Sequence, residues 1–215
     1  MKIQNISAIL FDFDGVLAES VEIKTRAFAA LYEGYGPDVV REVVAYHLLH
    51  GGISRHEKIR YYQTVILDQP ETDKEIEELA LRFADMSAAL VIESDWVPGA
   101  RAMLEAEYRR RQLFVVSGTP EVELRSIIDK RGMAHFFDGV YGSPSTKVSI
   151  INQIIETYKL ESEEVVMIGD SMTYYNAVAE YGRGLRFIGR VAEGDTSPFP
   201  VGTSLVTDLS EISII

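Results

Sequence analysis

The chain of 215 residues predicts an α/β fold, a doubly wound parallel sheet of the Rossmann-like kind with an α-helical cap domain inserted into it. Three observations carry that reading. Short apolar, β-branched runs alternate with segments of helical period, the pattern of a parallel sheet covered on both faces. The alternation breaks once, after the first run. Several runs end in polar residues suited to chemistry, as happens where ligands bind beyond the carboxyl ends of parallel strands.

The first strand is expected over residues 7–12. About 95 residues then separate it from the next run, whereas a plain crossover needs only a few tens. Within that gap Val21, Ala27, Phe28, Leu31 and Tyr35 repeat at helical spacing, as do Ile76, Leu79, Ala80, Phe83 and Leu90, with no strand-like run between them. A helical domain over about residues 18–94 therefore interrupts a core made of residues 1–17 and 95–215. Pro98-Gly99 punctuates the return to that core. A helix over residues 100–111 follows, and its terminal Arg109-Arg110-Arg111 suits the negative end of the helix dipole. Further strands are expected at 113–117, 138–141, 164–169, 185–188 and 204–206. The helices between them show their period in Leu124, Ile127 and Ile128, and again in Val148, Ile151, Ile154, Ile155 and Tyr158.

Composition narrows the function. Lys and Arg number 21 against 33 Asp and Glu, a net charge of −12, which disfavours nucleic acid and anionic membrane surfaces as partners because both are held by clustered basic side chains. The longest uncharged stretch, residues 196–207, is too short to span a bilayer and is broken by Pro198, Pro200 and Gly202. At the N-terminus Asp12 and Asp14 interrupt the apolar run, so the segment is expected to be a strand rather than a signal peptide. The absence of cysteine fits a reducing cytoplasm and removes thiolate chemistry. With four histidines and no cysteine, any divalent metal is expected to be held by oxygen, which points to Mg²⁺.

The most informative segment is Ala8-Ile9-Leu10-Phe11-Asp12-Phe13-Asp14-Gly15, an apolar strand ending in two carboxylates two residues apart. Carboxylates this close repel unless a cation lies between them or one keeps its proton, so the pair suggests a metal site or an acid/base pair. The strand at 113–117 ends in Ser117-Gly118-Thr119, a hydroxyl and a flexible backbone N–H suited to a phosphate oxygen. The strand at 164–169 leads into Asp170, a third acid. Between them Gly142-Ser143-Pro144-Ser145-Thr146-Lys147 delivers one lysine at the start of a helix.

In this order, Asp12–Gly15, Ser117–Thr119, Lys147 and Gly169–Ser171 resemble the four motifs of the haloacid dehalogenase superfamily. The helical insertion is similar to the cap of its branch containing phosphoglycolate phosphatase and β-phosphoglucomutase. The resemblance implies Asp12 as the nucleophile that forms an aspartyl-phosphate and Asp14 as the general acid, then base. It implies Mg²⁺ held by Asp12, the backbone carbonyl of Asp14, and Asp170, and it assigns Ser117, Gly118 and Lys147 to the transferring phosphate. One departure is visible: where many members carry a second acid four residues after Asp170, this chain has Tyr174.

In the cap, Gly51-Gly52-Ile53-Ser54-Arg55 resembles the segment with which this branch begins the helix facing the active site, so Arg55 is expected to reach the substrate. Lys24 stands where mutase-like members carry a histidine, and is a second candidate contact to a substrate anion. His47, His50 and His56 are expected as helix surface or core residues. The expected activity is a Mg²⁺-dependent phosphatase for a small phosphorylated metabolite, a sugar phosphate or organic acid phosphate. The alternatives are a phosphomutase or a phosphate-binding protein without turnover.

Overall fold

A computed structural model describes residues 1–70 and 72–215. Its strands, numbered in chain order, are β1 (Lys2–Ile3), β2 (Ala8–Phe11), β3 (Gln112–Pro120), β4 (Gly139–Ser143), β5 (Val165–Gly169), β6 (Arg186–Arg190), β7 (Leu205–Val206) and β8 (Ser213–Ile214). Six of them form one parallel sheet in the order β4-β3-β2-β5-β6-β7, while β1 and β8 pair separately, also in parallel. The doubly wound α/β fold follows from how these strands bury both faces. In β2, Ile9 and Phe11 face one layer of helices, α5 (Ala100–Glu107) and α6 (Glu121–Lys130), and Ala8 and Leu10 face the other, α7 (Lys147–Tyr158) and α8 (Met172–Tyr181). All four β2 residues are fully buried, and truncating Phe11 to alanine is expected to cost about 3–5 kcal/mol.

The register places the site. Phe11 lies opposite Val115 of β3 and Ile168 of β5, and the Asp12 N–H donates to the Ile168 carbonyl at 2.9 Å. Asp12, Ser117 and Asp170, one or two residues further along, therefore reach the same sheet edge.

Between β2 and β3 the chain forms α1 (Val21–Leu31), α2 (Pro37–Leu49), α3 (Arg55–Tyr61) and α4 (Asp73–Glu93). Each has a local reason to start. Pro37 occupies the first turn of α2, Ser54 caps α3 by accepting from the Glu57 N–H, and Thr72 with Glu75 forms a capping box on α4. Phe28, Tyr32, Val43, Ile59, Tyr62 and Phe83 build a hydrophobic cluster of their own, with the Phe28 and Phe83 rings 4.2 Å apart. The two chain segments joining these helices to the sheet run antiparallel, the Glu19 N–H donating to the Asp95 carbonyl at 2.9 Å and the Val97 N–H to the Leu17 carbonyl at 3.2 Å.

Two local expectations need correction, and one strand pair lay outside them. The helix after Pro98-Gly99 ends at Glu107 instead of running to Arg111, because the Arg110 and Arg111 N–H groups both turn back to the Glu107 carbonyl while the Arg111 guanidinium pairs with the Glu107 carboxylate and the Ile6 carbonyl. Tyr35 and Leu90 keep helical spacing but are 49% and 53% exposed, so the apolar stripe of the insertion is narrower than its periodicity suggests. The β1–β8 pair was not expected, since two residues per strand leave no alternation to detect. Among the described residues no helix is long and apolar enough to cross a membrane.

Candidate active site

Asp12 follows the last residue of β2 and is 2% exposed. Its Oδ1 accepts from the Phe13 N–H and from the Tyr174 hydroxyl, each at 2.6 Å. Burial, and then the neighbouring Asp170 and Asp14 carboxylates, push the Asp12 carboxyl well above the usual carboxylate range. Asp170 is also pushed up, to about 6, chiefly by burial. Gly15, at φ +74°, lies so close that a Cβ there would come within 2.4 Å of Asp170 Oδ2. That approach requires glycine twice over, for space and for conformation.

Asp14 is treated differently by its surroundings. Burial alone would raise its carboxyl, but the Lys24 ammonium and hydrogen bonds from Lys24, Ser20 and Thr119 more than offset this and hold it below the ordinary value. The distances are 2.5 Å from Lys24 Nζ and 3.2 Å from Thr119 Oγ1 to Oδ2, and 2.6 Å from Ser20 Oγ to Oδ1. Lys24 Nζ also donates to Thr119 Oγ1 at 2.7 Å. Two adjacent acids thus have opposed environments, the condition under which carboxylates take different roles in proton transfer.

A cation suits this donor set. Among the described residues no three His, Cys, Asp or Glu side chains converge on one point, and the Asp14 carboxylate is engaged by Lys24, Ser20 and Thr119. Asp12 and Asp170 remain as two buried carboxylates, and Asp170 is among the groups that raise Asp12. Hard oxygen donors in mutual repulsion are what a divalent ion such as Mg²⁺ relieves.

Ser117 is fully buried, and its Oγ accepts from the Thr119 N–H at 3.1 Å, which orients the C-terminal end of β3 beyond the expected strand end at residue 117. Gly118 meets the insertion directly: a Cβ on it would lie 2.4 Å from the Gly52 carbonyl oxygen. Lys147, the first residue of α7, donates to that same oxygen at 2.7 Å, and burial lowers its ammonium to about 8 despite the Asp12 charge. Thr173 Oγ1 donates to the Gly51 carbonyl at 2.6 Å. These contacts seat the Gly51-Gly52 turn on the sheet edge, over a cavity of about 130 Å³ that reaches from Asp12 and Asp170 to Arg55 and Lys58 on α3.

The structure brings Asp12, Asp14, Lys24, Arg55, Gly118 and Asp170 to that one cavity wall, with Lys147 and Ser117 beside it. The expected cap contacts have protein partners of their own. Lys24 bonds Asp14, and Arg55 reaches Glu123 of α6 at 2.6 Å while lying 4.7 Å over the Phe83 ring. Sequence reasoning did not find the bond from Tyr174 to Asp12, the Ser20 and Thr119 contacts to Asp14, or the buried side chain of Lys58. The last had a signal, since Lys58 follows Arg55 by three residues and so shares its helix face.

Comparison with known proteins bears on the family and the fold. The sequence pattern of the haloacid dehalogenase-like hydrolases matches residues 6–180. Over 177 residues the chain is 24% identical to a phosphoglycolate phosphatase of Vibrio cholerae serotype O1, covering 78% of this chain and 77% of that protein. Two solved structures share the fold. CbbY from Rhodobacter sphaeroides in complex with phosphate superposes with a TM-score of 0.72 at 20% identity, covering 96% of each chain. A β-phosphoglucomutase from Clostridium difficile superposes with a TM-score of 0.75 at 16% identity, covering 96% of this chain and 92% of that one.

Proposed function

The chain belongs to the haloacid dehalogenase-like hydrolases, and from that premise we propose that it is a Mg²⁺-dependent phosphatase releasing inorganic phosphate from a small phosphomonoester through an aspartyl-phosphate on Asp12. The observation that carries this reading is the contrast between the two acids after β2. Asp12 is buried beside Asp170 and lies within reach of the cavity, while Asp14 is held ionised by Lys24.

In this reading Asp12 attacks phosphorus and the P–O bond to the leaving group breaks, the alkoxide taking a proton from Asp14. Water then attacks the acyl phosphate, with the Asp14 carboxylate accepting its proton, and phosphate leaves. As Lys24 now holds it, Asp14 is the base form, so its acid role requires that bond to loosen when substrate enters. Ser117, the Gly118 N–H and Lys147 hold the equatorial oxygens. Asp12, Asp170 and the Asp14 backbone carbonyl would hold Mg²⁺, whose charge offsets the repulsion between carboxylate and phosphate. The helical insertion acts as a cap that excludes water and limits substrate size. The absence of cysteine supports a cytoplasmic setting, and the small cavity at Asp12, Gly118 and Asp170 supports a small phosphorylated metabolite as the partner.

The test is phosphate release from a panel of small phosphomonoesters with Mg²⁺ and with EDTA. Wild type is expected to be active only with metal, and Asp12→Asn to lose at least about 10³-fold in kcat, as removal of a covalent nucleophile does. An Asp12→Asn variant as active as wild type would falsify the covalent route. Isomerisation of a sugar phosphate without net phosphate release would replace the phosphatase with a mutase.

A further inference from the structure

A second cavity, of about 400 Å³, lies between α5, the end of α6 and the linker that returns from the insertion to the sheet. It shares no lining residue with the cavity at Asp12. The rings of Trp96, Tyr108, His135 and Phe136 wall it, and Tyr108 meets His135 and Phe136 edge-on at 6.0 and 5.3 Å. Two guanidiniums, Arg101 and Arg131, join them, a local reversal in a chain of net charge −12. The wall also carries the Glu105 carboxylate, which pairs with Arg101 at 2.8 Å in an exposed i,i+4 pair that water weakens. Neither of these two groups answers Arg131.

Arg131 is firmly held and yet incompletely satisfied. Its Nη1 donates to the carbonyls of Val91, Ile92 and Ser94 at 2.8–2.9 Å, and the guanidinium lies 5.2 Å over the Trp96 ring. Its Nε is buried with no acceptor, and among the described residues Nη2 has no partner and no carboxylate lies within ion-pair distance. Burial disfavours its charge, opposed by the more distant Asp95. A guanidinium has five N–H donors and no acceptor, and Nε with Nη2 forms the edge by which it takes an oxyanion. We infer that this cavity is a second ligand site, separate from the acids after β2, for a small planar aromatic molecule carrying one oxyanion, a carboxylate or a phosphate. The ring packs among Trp96, Tyr108 and Phe136, and the oxyanion accepts from Arg131 Nη2, on the edge that also carries the unmet Nε. Arg101, two-thirds exposed, supplies a second positive charge from the solvent side. A neutral aromatic would leave the guanidinium unanswered, and a bare anion would leave the rings in water. The volume falls within the range of small-molecule sites. Trp96 bridges to Ala18, so the occupant sits at the joint between insertion and sheet, away from the reacting phosphate.

Trp96 is the only tryptophan of the chain, so its fluorescence reports at this cavity. The experiment titrates the whole protein, with EDTA present, with two aromatic anions, adenosine monophosphate and benzoate. The controls are adenosine and benzamide, which keep the ring without the charge, and inorganic phosphate, which keeps the charge without the ring. At least one aromatic anion is expected to give a saturable change with Kd below about 1 mM, and its controls to bind at least about 10-fold more weakly. A response to adenosine monophosphate alone identifies a phosphate, and one to benzoate alone a carboxylate. Arg131→Met is expected to weaken that Kd at least about 10-fold, the loss of a charge-assisted contact. Gly132→Asn is the second variant. A Cβ at Gly132 meets no atom within 4 Å and asparagine tolerates its φ of +68°, so the change adds bulk at the cavity wall with the guanidinium in place. It too is expected to weaken binding at least about 10-fold. No saturable change with either aromatic anion up to about 10 mM, or a Kd unaltered in both variants, overturns the site. An equal response to inorganic phosphate or to the neutral ring overturns the ligand class assigned to it. Each of these outcomes leaves the phosphatase reading standing.

Discussion

Tyr174 stands four residues after Asp170, at the position where the family resemblance implies an acid, and its hydroxyl donates a hydrogen bond to Asp12 Oδ1. A fully buried carboxylate that loses one of two short donors is poorly oriented and poorly solvated, and hydrogen bonds to charged groups contribute about 1.5–3 kcal/mol. Tyr174→Phe is therefore expected to lower kcat about 10-fold while KM for small esters changes less than about 3-fold, measured by steady-state phosphate release. Lys58 allows a prediction with a definite sign. Burial, reinforced by Lys24 and Lys147 and opposed by Asp170 and Asp14, lowers its ammonium from 10.5 to about 7. The unfolded chain thus binds more protons than the folded one between pH 7 and 10.5, so this group's contribution to stability rises with pH across that window and is lost as pH falls to 7. Lys58→Met is expected to raise Tm by about 5–10 °C at pH 6.5, a few kcal/mol at the usual 2–4 °C per kcal/mol for this size, and by much less near pH 10. Thermal unfolding at the two pH values checks it, and an equal shift at both would mean the gain comes from packing.

At the scale of elements, what repeats was legible and what ends was not. The strands and helices of the sheet were visible because Leu113–Val116 or Ile150–Ile155 bury whole faces and so write a period into the sequence. The end of α5 was misplaced by four residues, because Arg109-Arg110-Arg111 suits a helix terminus by charge, yet the chain turns at Glu107 through a contact with Ile6, a hundred residues away. A tertiary contact also governs α4. Arg131, just after α6, donates from Nη1 to the carbonyls of Val91, Ile92 and Ser94 at 2.8–2.9 Å and stacks 5.2 Å over Trp96. That guanidinium ties the last turn of α4 and its C-cap residue Ser94 to the end of α6, where positive charge is also favoured by the dipole. Arg131→Met is expected to lower stability by about 2–3 kcal/mol, read as a fall of roughly 4–10 °C in Tm, with kcat nearly unchanged because the contact lies at the linker and away from Asp12.

Over the whole molecule, the proposed function brings two parts of one chain together, and that meeting is the feature a linear reading recovers least. The acids at the sheet edge could be read from their order along the chain, since parallel strands carry their C-terminal residues to one side. The bonds from Lys147 to Gly52 and from Thr173 to Gly51 could not, because they join segments more than ninety residues apart in sequence and depend on how the cap sits. The Gly51-Gly52 turn is the contact surface itself. A Cβ on Gly52, which lies at φ +80°, would come within 2.8 Å of the Tyr174 ring and 2.9 Å of Ser171 Oγ, so glycine is needed there for both conformation and approach. Tyr174 cannot move aside freely, being fully buried and bonded to Asp12. In Gly52→Ala the cap is thus expected to stand off the sheet edge while each part keeps its own hydrophobic cluster. Closure completes the enclosure on which a capped phosphatase relies, and misplacement by about 1 Å costs on the order of 10²-fold. The expected result is a loss of about 100-fold in kcat/KM for the preferred ester, with Tm lowered by only a few degrees. Equal activity in wild type and Gly52→Ala would mean that the seating of this turn has no part in turnover.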